Sequence, residues 1–185
     1  MRDHGKSRKA PRPLSESSLE ELALRYVGRF ATTRAKLRTY LQRKVRERGW
    51  AGERDPALDA IAERFAELGY VDDGAYALGT ARALGNRGYG KRRLAEKLRA
   101  AGVDETDSCP ALEYADEEAL TAAMRFAERR RLGPFAAEPI TDPKQREKAI
   151  AAMIRAGHGF ALARAIVALQ PGETIDAEKV RFDLH

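Results

Sequence analysis

The 185-residue sequence predicts an all-α protein of about nine helices, arranged as tandem three-helix repeats stacked into an elongated, curved molecule. Three observations carry that expectation. No five-residue segment alternates apolar and polar side chains, so nothing signals a half-buried strand. Apolar residues instead recur every three or four positions, between polar caps and glycines. The pattern then repeats along the chain. Leu37 and Leu41 lead to Gly49 and Trp50, Leu94 and Leu98 to Gly102 and Val103, and Ala149 and Met153 to Gly157 and Phe160. Leu37 to Leu94 spans 57 positions and Gly102 to Gly157 spans 55. Units of this size cannot bury their own apolar faces and must stack on neighbours. The expected organisation is a disordered basic tail over 1–16, a first three-helix repeat over 17–71 and a second over 72–118 with an acidic insertion at 104–118. A third repeat covers 119–170 and a C-terminal tail 171–185.

"SSLEELALRYVGRF" opens the first helix with a capping-box pattern through Ser17 and Glu20 or Ser18 and Glu21. Leu19, Leu22, Ala23, Tyr26 and Phe30 follow at helical spacing. Thr32 or Thr33 caps the second helix, whose stripe is Leu37, Leu41 and Val45. In "DPALDAIAERFAELG", Asp55 is the expected N-cap, with Pro56 in the first turn, where its missing N–H is not needed. Leu58, Ile61, Ala62, Phe65 and Leu68 share a face, and Gly69 permits a left-handed exit. Asp72 or Asp73 caps a fourth helix carrying Tyr76, Leu78 and Ala81. A fifth runs from about Gly90 to Ala101 and buries Leu94, Leu98 and Ala101. Residues 113–132 hold one or two helices containing Leu120, Met124 and Phe126. Three prolines between Gly133 and Pro143 mark a loop, after which a helix turns at "GHG" into "FALARAIVAL".

Composition narrows the function. With 43% hydrophobic but 7% aromatic residues, Leu and Ala must fill the core, and 34% charged residues imply extensive solvated surface. The net charge of +6 favours polyanionic partners. It is unevenly spread, with seven cations against Glu47 alone over 34–48, and seven acids with no cation over 104–118. Cys109 is the single cysteine, so no internal disulfide or cysteine metal cluster forms. No apolar run reaches the ~18 residues that a membrane span needs, and "MRDHGKSRKAPRP" lacks the apolar core of a secretory signal, so a cytoplasmic protein is expected. His158 is the one imidazole away from the termini, and no nucleophile, carboxylate pair or metal-ligand spacing assembles around it. Neither an enzyme nor a cofactor is expected.

Binding chemistry concentrates in "NRGYGKRRLAEKLRAAGV", residues 86–103. A phosphate-cradling P-loop fails here, because it needs a preceding strand and Ser or Thr after the Lys, whereas Lys91 is followed by Arg92. Gly88 and Gly90 read as turn residues. At about 100° per residue, Arg92 and Arg99 flank one side of the leucine stripe and Arg93 and Lys97 the other, with Glu96 between them. Such a face suits a phosphate backbone or an acidic protein surface. A lone basic helix is more simply a solvated face, but residues 34–48 repeat the character. The candidate binding residues are therefore Arg38, Arg43, Arg87, Tyr89, Lys91, Arg92, Arg93 and Lys97. Tyr89 either stacks on a base or closes the turn against Leu94. Trp50 is expected to be packed after Gly49.

The stretches "ALRYVGRFATTRAKLRTYLQRK" and "FAELGYVDDGAYALGTARALGNRGYGKRRLAEKLRAAGV" resemble RecX, the bacterial regulator of the RecA recombinase. The resemblance covers the first two units and includes the "GYVDD" turn and the junction from Arg87 to Leu94. It implies a crescent of three-helix repeats that binds RecA–DNA filaments. It also implies a non-enzymatic modulator, an inhibitor of filament growth, ATP hydrolysis, strand exchange and the RecA-promoted self-cleavage that triggers the SOS response. The implied partners are the RecA nucleoprotein filament and single- or double-stranded DNA through the basic face, with the protein a monomer and no membrane involved. The third unit departs from the family, being largely Ala and aliphatic where cations and aromatics are common. Two other readings remain open: a helical regulator acting directly on DNA without RecA, and a structural adaptor for acidic protein partners.

Overall fold

A computed structural model describes residues 12–173. The expected tails fall outside the described residues at 1–11 and 174–185. Among the described residues the secondary structure is nine α-helices, one 3-10 turn and an isolated bridge between Leu14 and Trp50, so the class is all-α. Two compact units divide between Asp72 and Asp73.

The first unit holds α1 (Glu16–Val27), α2 (Arg34–Arg48) and α3 (Leu58–Glu67). Leu14 is fully buried, and its N–H and C=O bond to the Gly49 carbonyl and the Ala51 amide at 2.9 Å each. The chain is thus anchored by Leu14, earlier than a tail running to residue 16 allows. That anchor also moves the helix start. Ser15 is the N-cap, its Oγ accepting from the Ser18 amide while the Ser15 amide donates to Ser18 Oγ, so the capping box lies earlier than either expected version. Thr33 caps α2 through the Lys36 amide.

Helix α3 begins later than Asp55–Pro56 suggests. The Leu58 amide bonds to the Pro56 carbonyl in a tight turn, leaving Ala57 at the N-cap position without a side-chain cap. Leu14, Leu19, Ala23, Leu37, Leu41, Ala62, Phe65 and Val71 form the core, and Trp50 packs against it. Two expected face residues fall outside that core. Leu68 is 58% exposed because α3 ends at Glu67 and the chain leaves through Gly69 at φ +74°; Phe30 is 57% exposed because α1 ends at Val27.

The second unit holds α4 (Asp73–Asn86), α5 (Lys91–Ala100), α6 (Glu105–Glu117), α7 (Ala119–Arg130), a 3-10 turn (Gly133–Phe135), α8 (Pro143–Arg155) and α9 (Phe160–Ala168). The acidic stretch 104–118 is helical. It forms α6, capped by Asp104 on the Asp107 amide, and buries Ser108 and Ala111 against α4 and α5. Leu112, Tyr114 and Ala115 pack against the same core from partly buried positions. One core joins Ala77, Ala81, Leu84, Leu94, Leu98, Ala101, Val103 and Ala111. A second joins Ala123, Phe126, Ala127, Ala149, Met153, Ala156, Leu162, Ala163, Ile166 and Val167. Tyr89 packs against both cores.

Candidate functional site

The segment Asn86–Gly90 is the joint between α4–α6 and α7–α9. Gly88 takes φ +70°, and a Cβ on it would stand 2.7 Å from the Phe126 backbone nitrogen in α7. The Gly90 amide donates to the Ala156 carbonyl at 2.9 Å and the Arg92 amide to the Gly157 carbonyl at 3.2 Å. Two N–H groups that a phosphate loop would turn outward are thereby spent on the α8–α9 turn. A Cβ on Gly90 would overlap the Gly157 carbonyl oxygen. The glycines therefore permit backbone to lie against backbone.

His158 completes the joint. Its Nε2 lies 3.1 Å from the Gly88 carbonyl oxygen and its ring stands edge-on to Phe126, 5.7 Å between centroids. A carbonyl only accepts, so Nε2 carries the proton; Nδ1 is buried without a partner. Burial pushes the imidazole below its ordinary pKa, opposed by the bond to Gly88.

Several of the eight sequence-selected residues are already paired. In the first unit, Arg38 bonds to Asp59 across α2 and α3 at 3.1 Å. Arg43 lies 3.7 Å from Glu47 and 5.6 Å from the Tyr40 ring centroid. The Lys44 ammonium at 2.6 Å holds the Glu47 carboxyl below its usual pKa. In the second unit, Lys91 pairs with Asp116 of α6 at 3.1 Å and Arg93 with Glu96 at 3.2 Å. Arg92 and Lys97 are exposed on α5 and make no ion pair among the described residues. Arg87 and Tyr89 meet directly, with the guanidinium carbon 5.5 Å from the ring centroid. The structure thus joins Arg87, Tyr89, Lys91, Arg92, Arg93 and Lys97 in one unit; Arg38 and Arg43 belong to the other.

Sequence reasoning missed three cations that share a cleft with Tyr89. The Arg129 guanidinium carbon lies 5.9 Å from the centroids of both Tyr89 and Phe126, and that of Arg130 lies 5.8 Å from Phe126. With Arg155 from the last turn of α8, these residues line an open cleft of about 470 Å³ over Ala152 and Ala156. No carboxylate lines it, and Arg87, Arg129, Arg130 and Arg155 make no ion pair among the described residues. The run "ERRR" ending α7 was the available signal. Its pairing with Arg155, 25 positions beyond Arg130, appears only when α7 and α8 are packed.

Away from this cleft, Cys109 Sγ lies 3.3 Å from Glu113 Oε1, and that hydrogen bond to a carboxylate raises the thiol pKa. Among the described residues no group of three His, Cys, Asp or Glu side chains is placed to hold a metal ion, and no helix is long and apolar enough to cross a membrane.

No protein-family model matches the chain. It is 34% identical over 170 residues to Regulatory protein RecX of Myxococcus xanthus, covering 88% of this chain and 91% of the relative. It is 34% identical over 148 residues to Regulatory protein RecX of Agrobacterium fabrum, covering 78% of each. The crystal structure of RecX from Lactobacillus salivarius shares its fold with a TM-score of 0.60 at 18% identity, over 82% of this chain and 94% of that one. Sequence likeness at this level along most of its length places the chain in the RecX family of regulatory proteins.

Proposed function

We propose that this chain is a cytoplasmic, non-enzymatic regulator of RecA that binds the RecA–DNA filament and limits its recombinase, ATPase and SOS co-protease activities. Its sequence likeness to Regulatory protein RecX, over 88% of the chain for one relative, carries the reading. The charge distribution supports it: Arg87, Arg92 and Lys97 have no acidic partner among the described residues of a protein of net charge +6. Arg38, Arg43, Tyr89, Lys91 and Arg93 complete the proposed contact set. Ion pairs between exposed side chains hold by only about 0–1 kcal/mol, so an incoming polyanion can displace Asp59, Glu47, Asp116 or Glu96 from these cations.

The mechanism is differential binding. A ligand affects filament growth or turnover only by the difference in its affinity for the filament states. A protein that grips RecA and the DNA phosphates together favours states that extend or hydrolyse ATP poorly. The test is a titration of the chain into RecA hydrolysing ATP on single-stranded DNA. Substoichiometric slowing is expected, and no effect across a broad titration removes the reading. The unpaired arginines favour one second reading, a regulator that acts on DNA directly. It predicts salt-sensitive DNA binding with RecA activity untouched.

A further inference from the structure

We infer that the cleft between Tyr89 and the last turns of α7 and α8 seats one nucleotide of a single-stranded nucleic acid, its phosphate on Arg129, Arg130 and Arg155 and its base against Tyr89. Three guanidiniums from two helices, with Arg87 beside Tyr89, gather where no carboxylate of the described residues lines the wall. Cations in a helix's last turn complement its dipole, which accounts for an arginine at the end of α7 or of α8 taken singly. It does not account for their convergence on one open cleft with no acidic partner among the described residues. Like charges brought together repel, and an anion bound among them relieves that repulsion.

The shape of the lining selects the anion. Guanidiniums match phosphate and carboxylate alike through their planar fork. A carboxylate-bearing peptide needs nothing more, but this cleft also holds an aromatic side chain. Tyr89 is half-buried, held between the two cores and flanked by Arg87 and Arg129, so its ring is held in place in the lining of the cleft. Ala152 and Ala156 add only small side chains to the lining, which leaves room for a planar ring. A volume of about 470 Å³ lies within the roughly 300–1,000 Å³ of small-ligand sites. Aromatic platforms set among backbone-tracking cations are the recurrent solution for single strands. A duplex is disfavoured, since its base would have to leave the stack to enter.

The inference rests on the nucleic-acid contact in the proposed function and narrows it to one cleft. The test measures the anisotropy of a labelled oligothymidylate with the full chain, the double variant Arg129→Gln/Arg155→Gln and the charge-keeping variant Arg129→Lys/Arg155→Lys. The Gln pair is expected to weaken binding roughly tenfold and to lower the log–log salt slope by roughly 1.4, about 0.7 for each lost phosphate contact. The Lys pair, with an unchanged melting curve, is expected to keep the slope. Wild type is expected to prefer the oligothymidylate over an abasic strand of equal length by roughly fivefold or more, a preference that Tyr89→Phe keeps and Tyr89→Leu loses.

Unchanged binding and slope in the Gln pair overturn the inference, as does equal wild-type affinity for the abasic strand. Polyglutamate competing through the same arginines as strongly as the oligonucleotide also overturns it, assigning the cleft to an acidic protein segment. The RecA ATPase titration keeps the two failures apart. Inhibition by wild type with unaltered strand binding in the Gln pair removes the cleft alone. Strand binding lost in the Gln pair, with no wild-type effect on RecA, removes the RecA reading and leaves the cleft.

Discussion

His158 Nε2 and the Gly88 carbonyl oxygen lie 3.1 Å apart, tying the α8–α9 turn to the α4–α5 turn across 70 positions of sequence. The bond needs a proton on Nε2 only, so the neutral ring suffices. A second proton on Nδ1 would place a charge where that atom is buried without a partner.

The pH dependence of stability follows from that arrangement. The folded-state pKa of His158 is depressed by burial, so the unfolded chain binds this proton more readily. Stability from the neutral ring is full above the unfolded value near 6.5 and is lost as pH falls below it. Thermal melts at pH 7.5 and 5 are expected to show a larger drop for wild type than for His158→Gln, which keeps an amide donor and does not titrate. His158→Ala is expected to cost about 1–3 kcal/mol at pH 7.5 for the orphaned carbonyl alone. Equal pH sensitivity in wild type and His158→Gln would show that other groups govern it.

Two glycines of the second unit are expected to respond in opposite directions. In Gly90→Ala the new methyl meets the Gly157 carbonyl oxygen and His158 amide, both backbone and unable to swing aside. The expected loss is about 1–3 kcal/mol or more. In Gly79→Ala, on the exposed side of α4, the methyl meets nothing within 4 Å. There the expected gain is about 0.4–1 kcal/mol, from a less flexible unfolded chain and better helix propensity. Urea denaturation of both variants checks the pair; a neutral Gly90→Ala would mean that the joint opens without penalty.

The contrast marks what the sequence made legible. Leu37, Leu41, Leu94 and Leu98 were readable as core because helical spacing alone decides which face they share, and all four are buried. Gly88 and Gly90 read correctly as turn glycines, but the backbone lying against them comes from residues 122–126 and 157–158. Periodicity carries no information about such distant approaches. Helix α6 was hard to read for a different reason: its two fully buried residues, Ser108 and Ala111, are small, and the seven acids of 104–118 dominated its appearance. Helix starts failed where several caps compete, as at Ser15, Ser17 and Ser18, because Leu14 decides among them by tertiary burial. Arg129, Arg130 and Arg155 were not legible as a group until α7 and α8 were packed.

Leu98 tests the register of α5. It is 1% exposed and packs with Ala77, Ala81 and Leu94 in the second unit's first core. Leu98→Ala is expected to cost about 2–5 kcal/mol by transfer and cavity together. Leu98→Asp adds a buried charge and is expected to abolish cooperative unfolding of α4–α6. Urea titration followed by circular dichroism reads both. Melting at the wild-type midpoint would place Leu98 on the solvent side of α5.

Cys109 is exposed, yet its environment holds it as the thiol. The bond to Glu113, with the repulsion of that carboxylate and of Glu105, raises its pKa; Lys91 opposes weakly. Since the thiolate is the nucleophile, alkylation at neutral pH should be slow for so accessible a cysteine. Glu113→Gln is expected to speed reaction with iodoacetamide severalfold and to shift the pH–rate midpoint downward. An unchanged rate would show that Glu113 does not face the sulfur in solution.

Arg38 is held by Asp59 of α3 at 3.1 Å, and both side chains are more than half exposed, so the pair adds little to stability. Its greater effect is on availability: a guanidinium facing a carboxylate is a weaker phosphate site. Asp59→Asn is expected to change stability by less than about 1 kcal/mol while raising affinity for an oligonucleotide roughly twofold at low salt. Because the added attraction acts between exposed charges, it should fade as the screening length falls from about 10 Å at 0.1 M salt to about 3 Å at 1 M. In an Arg38→Gln background the same substitution should give a smaller gain, since only the long-range loss of one negative charge remains. Measuring all four corners of that cycle separates a freed Arg38 from a mere change in net charge, and equal gains in both backgrounds would remove Arg38 from the contact set.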